Sequence, residues 1–307
     1  KRWIAIIAAS VLVFVSLGVN LFSYKFTSDT SKLMDQLAKA EEQMNDAVIE
    51  KGALDERIAV LSIEGAIQDT GEASLFATEG YNHRQFMKQL DEVKADETVK
   101  GVILKVNSPG GGVLESKDIY DKIVDIQKTR EIPFYVTMGA MAASGGYYVS
   151  APADKIFVHP ETMTGSIGVI MQTLDYSELA EKLGIRFNTI KTGAHKDIGS
   201  PNRHMTDEER AIFQSMADES FERFVKVIAD GRDMSIEEVK KIADGRIFSG
   251  SQAIKYGLAD ETGRLDDTIK AMKKEHKLEN ATVFEYETKD SFASLFGMKM
   301  NQWLGND

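Results

Sequence analysis

Residues 99–112 read VKGVILKVNSPGGG, an apolar run that passes without a spacer into Asn107-Ser108-Pro109-Gly110-Gly111-Gly112. A nearly continuous run of this length is the pattern of a strand covered on both faces, as in a parallel sheet. Beyond the glycines, Ile119, Ile123 and Ile126 recur at helical spacing, so a helix follows. Three glycines free the backbone for positive φ and let another group approach it closely. The N–H groups that open the next helix lack intrahelical partners and point outward. Such a turn binds phosphate, holds an oxyanion, or is only a tight link between strand and helix; the spacing leaves all three open.

The same alternation runs outward on both sides. Arg57–Ile67 is β-branched and apolar, and predicts a strand. Phe86, Leu90 and Val93 share a helical face. Pro133–Met138, Lys155–Val158, Ile185–Lys191 and Ala281–Tyr286 predict further strands, and Asp175–Leu183 a helix. Thr192–Met205 reads as a long loop. Thr206 with Glu209, and Ser235 with Glu238, have the spacing of capping boxes; the first opens a helix to about Ala229. Repeated strand–helix units with short links imply an α/β protein with a largely parallel sheet.

Composition narrows the chemistry. Net charge is −11, which argues against a nucleic-acid partner, because a phosphate backbone calls for a basic face. With no cysteine, thiol catalysis, disulfides and Cys-held metals are excluded. The five histidines, 83, 159, 195, 204 and 276, show no HExxH pairing, so neither a metal nor another cofactor is expected.

Trp3 to Tyr24 is a run of twenty-two residues without a charge. As a helix it spans roughly 30 Å, the thickness of the hydrocarbon core. Lys1 and Arg2 precede it, which puts the N-terminus in the cytoplasm and the rest outside. The alternative is a cleaved signal peptide, against which stand the length of the run and the lack of an A-x-A exit. The expected organisation is a transmembrane anchor at 1–25, a helical or flexible linker at 26–56, a catalytic domain at 57–288 and an apolar tail at 289–307.

A second small-residue turn, Met138–Tyr148 (MGAMAASGGYY), sets one hydroxyl, Ser144, where a strand gives way to a helix. A nucleophile gains there from exposure at a sharp turn and from amides facing developing negative charge. Ser144 is equally suited to be a plain N-cap. A serine nucleophile needs a base. His159 is one candidate. Lys196, in Thr192-Gly193-Ala194-His195-Lys196-Asp197, is another if desolvation lowers its pKa; any single lysine is ordinarily a solvated charge. Thr164–Val169 (TGSIGV) is a third such loop, with Ser166 suited either to orient a lysine amine or to form a simple turn.

Taken together, VNSPGGG at 106–112, MAASGGYYVS at 141–150, TGSIGV at 164–169, KTGAHKDIGSP at 191–201 and ADGRIFSGSQAIKYGLADETG at 243–263 resemble the signal peptide peptidase A family of serine proteases. The resemblance implies a ClpP/crotonase-like fold of repeated β-β-α units with an N-terminal transmembrane helix. It also implies a Ser–Lys dyad with Ser144 as nucleophile and Lys196 as general base, in place of His159. The Gly111 and Ser144 N–H groups become the oxyanion hole, with Ser166 supporting the lysine. It implies substrates that are remnant signal peptides and other short or unfolded chains, and a homo-oligomer, an octameric dome-like ring with dyads shared between subunits. The rival readings are a clan relative that cuts another membrane protein, a crotonase-type acyl-CoA enzyme, and a catalytically silent membrane scaffold.

Overall fold

The computed structural model describes residues 45–70 and 80–287. Contacts divide the chain into a large body, 48–284, and a smaller unit made of 1–47 with 285–307; everything functional below lies in the large body. In chain order the elements are β1 (Asn45–Glu50), β2 (Ala53–Glu64), α1 (His83–Ala95), β3 (Val99–Ser108), α2 (Val113–Arg130), β4 (Phe134–Ala143), α3 (Gly145–Ser150), β5 (Lys155–Val158), β6 (Met163–Gly165) and α4 (Ser177–Lys182). They continue with α5 (Asp207–Arg232), α6 (Ile236–Ile242), β7 (Ile247–Ser249), α7 (Gly250–Lys255), β8 (Glu261–Thr262), α8 (Leu265–Glu275) and β9 (Ala281–Glu287).

The strand order is β1-β9-β2-β3-β4-β5-β8, with β6 against β4 and β7. The pairs β2/β3, β3/β4, β4/β5, β5/β8 and β4/β6 are parallel. Ile58–Leu61 and Val102–Leu104 are at most 1% exposed, so β2 and β3 are covered on both faces. One face packs with Tyr135, Phe157, Ile269 and Met272. Phe86, Leu90 and Val93 of α1, and Ile119, Ile123 and Ile126 of α2, are buried as their spacing predicts. Arg130, at the end of α2, donates to the carbonyls of Val93, Lys94 and Asp96 at 2.8–3.0 Å. This satisfies two of the orphan carbonyls that close α1, and that of its cap.

Two expected elements are corrected. Residues 45–50 and 53–56, read as part of a helical or flexible linker, are strand. Neighbouring strands give that backbone hydrogen-bond partners, which a solvated linker would lack. Ile185–Lys191, read as a strand, forms none. Its Ile185, Phe187 and Ile190 side chains are exposed, so no apolar face of the segment is buried to hold it as a strand. The expected anchor at 1–25 and tail at 289–307 lie outside the described residues, as does most of the linker. Among the described residues no helix is long and apolar enough to cross a membrane.

Candidate active site

The two glycine-rich turns meet at the C-terminal ends of β3 and β4. Strand β4 outruns its partner here: Val106 pairs with Met138, but Ser108 pairs with Ala142. The Asn107 side chain spans the surplus residues. Its Oδ1 accepts the Met141 N–H at 3.2 Å, and its amide donates to Glu64 on β2 at 3.0 Å. The extra length carries Ser144 to the tip of the sheet.

Ser144 has φ +53° and ψ −120°, a conformation that costs a non-glycine residue about 1–3 kcal/mol. It occupies the N-cap position of α3, yet its side chain makes no capping bond. No protein group within the described residues bonds its hydroxyl, so the plain N-cap reading fails: the turn holds the oxygen out instead of using it.

The amides around Ser144 correct one expected donor. The Ser144 N–H donates to the Gly165 carbonyl at 2.8 Å, continuing the β4/β6 ladder beyond Ala143–Gly165. It is therefore not free for an oxyanion. The Gly145 N–H, in the first turn of α3, has no partner among the described residues, nor has the Gly111 N–H. Gly111 bridges Ile67, but that bridge uses the flanking Gly110 carbonyl and Gly112 N–H, so the amide of Gly111 faces the other way. A methyl group on Gly145 would lie 3.1 Å from the Gly111 nitrogen, and one on Gly110 (φ +99°) would lie 2.6 Å from the Gly145 nitrogen. Two unpaired amides thus stand side by side beside the Ser144 turn. The signal for Gly145 was available: an N-cap residue can spend its own N–H on the sheet, whereas the next residue cannot pair within the helix.

Ser166 follows directly on the Gly165 carbonyl that holds Ser144, has φ +49°, and donates its N–H to Arg246 at 2.8 Å. The structure therefore brings Ser144, Gly111 and Ser166 together. His159 is spent elsewhere, its Nδ1 accepting the Glu161 N–H at 3.2 Å. Lys196, expected to be desolvated, is exposed in the single chain and no hydrogen bond joins it to Ser144. The residues that precede it supply no cover: Ile170, Leu174, Leu179, Leu183, Ile185 and Ile190 are exposed, Ile190 completely. Among the described residues no group of three or more His, Cys, Asp or Glu side chains is arranged to hold a metal.

Comparison with known proteins agrees with the geometry. The model of peptidase family S49 matches residues 126–279. A protein of Enterococcus faecium named "Putative signal peptide peptidase SppA" is 43% identical over 99% of this chain and 90% of its own length. "Protease 4" of Haemophilus influenzae is 34% identical over 69% of this chain and 34% of its own. "Serine protease SPPA, chloroplastic" of Arabidopsis thaliana is 28% identical over 80% of this chain and 34% of its own. A strained serine at a strand–helix turn beside two unpaired amides has the parts that acyl transfer requires. The chain belongs to peptidase family S49 and is a serine protease.

Proposed function

We propose that the protein is a membrane-anchored endopeptidase of the ClpP/crotonase-like fold that degrades remnant signal peptides through a Ser144–Lys196 dyad. The observation that carries the reading is the uncapped, strained Ser144 with the Gly111 and Gly145 amides beside it. The mechanism follows in charges. Neutral Lys196 Nζ takes the proton of Ser144 Oγ as the oxygen attacks the scissile carbonyl. The oxyanion forms against the two amides, each donor being worth about 2.7–4 kcal/mol. The lysine ammonium then protonates the leaving amine; the neutral Lys196 amine next takes a proton from water, whose oxygen attacks and breaks the acyl ester, and that proton returns to Ser144 Oγ. Ser166 hydrogen-bonds and orients the lysine.

Lysine is charged near neutral pH unless it is desolvated. The exposed apolar segment at 170–190 supports a homo-oligomer, a ring in which one subunit covers the Lys196 loop of the next and dyads are shared. The charge-free run at 3–24 supports an anchor with the N-terminus cytoplasmic and the catalytic domain outside. Apolar peptides left in the bilayer would then lie within reach.

The test is digestion of a synthetic signal peptide by the purified oligomer, with labelling by a serine-directed phosphonate. Ser144→Ala and Lys196→Ala each abolish cleavage and leave the oligomer intact; the phosphonate is recovered on Ser144. Near-normal turnover by Lys196→Ala overturns the dyad.

A further inference from the structure

A general base must be held to within about 0.5 Å of its productive place, yet Lys196 lies in a segment, 192–205, without helix or strand. What fixes that segment is a set of ion pairs around the residue that follows it. Arg203 donates from Nε to Asp197 Oδ2 at 2.9 Å, and from Nη2 to Asp197 Oδ1 at 2.8 Å and to the Asp197 carbonyl at 3.2 Å. The other edge of the guanidinium meets Glu209, Nη1 to Oε2 at 2.8 Å and Nη2 to Oε1 at 2.5 Å. Glu209 is 2% exposed and belongs to the first turn of α5, where its carboxylate also accepts the Thr206 N–H at 3.1 Å. On the near side, Lys191 Nζ donates to Asp197 Oδ1 at 2.6 Å and to the Ala194 carbonyl at 2.7 Å.

These contacts form one line of force from a rigid helix to the loop: α5, Glu209, Arg203, Asp197, then Lys196. Both flanks of Lys196 are tied down, and its own amine has no partner among the described residues. We propose that Arg203 is a positioning residue for catalysis, locking Asp197 to Glu209 so that the adjoining Lys196 is presented to Ser144 in a fixed place; this rests on the reading of Lys196 as the base. Only arginine fits the post. A planar fork can bind two carboxylates and a carbonyl at once, whereas a lysine ammonium is a single compact charge. Without Arg203, Asp197 keeps only Lys191, which lies on its own side of the loop, and its tie to Glu209 on α5 is lost.

The test is steady-state kinetics of the assembled full chain with a fluorogenic peptide, for Arg203→Met, Arg203→Lys, Glu209→Gln and Lys196→Ala. Arg203→Met is expected to lower kcat by roughly 10- to 100-fold, the scale on which a small misplacement acts, with KM within about threefold of the parent. Arg203→Lys recovers only part of the loss. A merely structural role would instead lower the melting temperature and the fraction of sites that the serine-directed phosphonate titrates, leaving kcat per titrated site unchanged. Turnover by folded Arg203→Met within about threefold of the parent, while Lys196→Ala is dead, overturns the positioning role and leaves the dyad standing. Should Arg203→Met fail to assemble, the near-isosteric Glu209→Gln decides the matter: undiminished kcat overturns the proposal, and a fall in kcat at constant KM supports it. An active Lys196→Ala overturns the base and the positioning role together.

Discussion

Ser144 stores strain that its side chain does nothing to relieve. At φ +53° and ψ −120°, glycine rests without penalty, whereas any side chain is crowded. Replacing Ser144 by glycine or by alanine removes the hydroxyl in both cases, but only glycine releases the strain. Glycine also costs about 0.5–1 kcal/mol in the unfolded state. Set against strain of about 1–3 kcal/mol, Ser144→Gly is expected to be about 1 kcal/mol more stable than Ser144→Ala, read from denaturant midpoints. Equal stability, or a more stable alanine variant, would show that the turn is not strained. At this scale the sequence marked the residue but not its amides: MAASGGYY identifies a small-residue turn with one hydroxyl, while the choice between the Ser144 and Gly145 N–H groups depends on whether β6 lies alongside.

At the scale of elements, the N-terminus of α5 ties a loop to a helix through charge. Arg203, and after it the Thr206 N–H, hold the Glu209 carboxyl at about 2, below its ordinary 4.5. A carboxyl whose pKa falls on folding adds stability that is complete above its unfolded value and is lost as pH drops through its folded one. The anchorage of the Lys196 loop is therefore expected to weaken progressively from about pH 4.5 to about pH 2. Limited proteolysis or hydrogen exchange across 192–205 would follow it, with Glu209→Gln less dependent on pH in that window and Asp197, itself held below the ordinary carboxylate range by Arg203 and Lys191, carrying what remains. Identical pH profiles for parent and variant would count against it. The capping box at Thr206 and Glu209 was legible from spacing. Its second use, as the fixed end of the Arg203 clamp, was not, because Arg203 and Asp197 carry no periodic signal and meet only when the loop folds back. Ile185–Lys191 teaches the converse: strand-forming side chains make no strand where none of their apolar faces is buried.

For the whole molecule, assembly is what completes the proposed site. One chain presents Ser144 with its amides, and an exposed Lys196 beside an exposed apolar segment. If neighbouring subunits supply one another's base, two inactive variants should repair each other. Co-assembly of Ser144→Ala with Lys196→Ala is expected to restore about a quarter of parental turnover when mixed equally, since each shared site draws its serine and its lysine independently from a mixed ring. Complementation that stays at zero in verified mixed oligomers would place both groups of the dyad in one chain.

The sequence by itself determined the alternating strands and helices, the buried α1 and α2 faces, the capping boxes and the two turns that carry chemistry. Each of these follows from local periodicity or from residue types whose backbone preferences are strong. Only the tertiary structure decided which amides stay free, that Asn107 bridges the surplus residues of β4, that His159 is occupied, and that Arg203 joins Asp197 to Glu209. Those outcomes depend on which groups, distant along the chain, compete for the same hydrogen bond, and neither composition nor spacing encodes that contest.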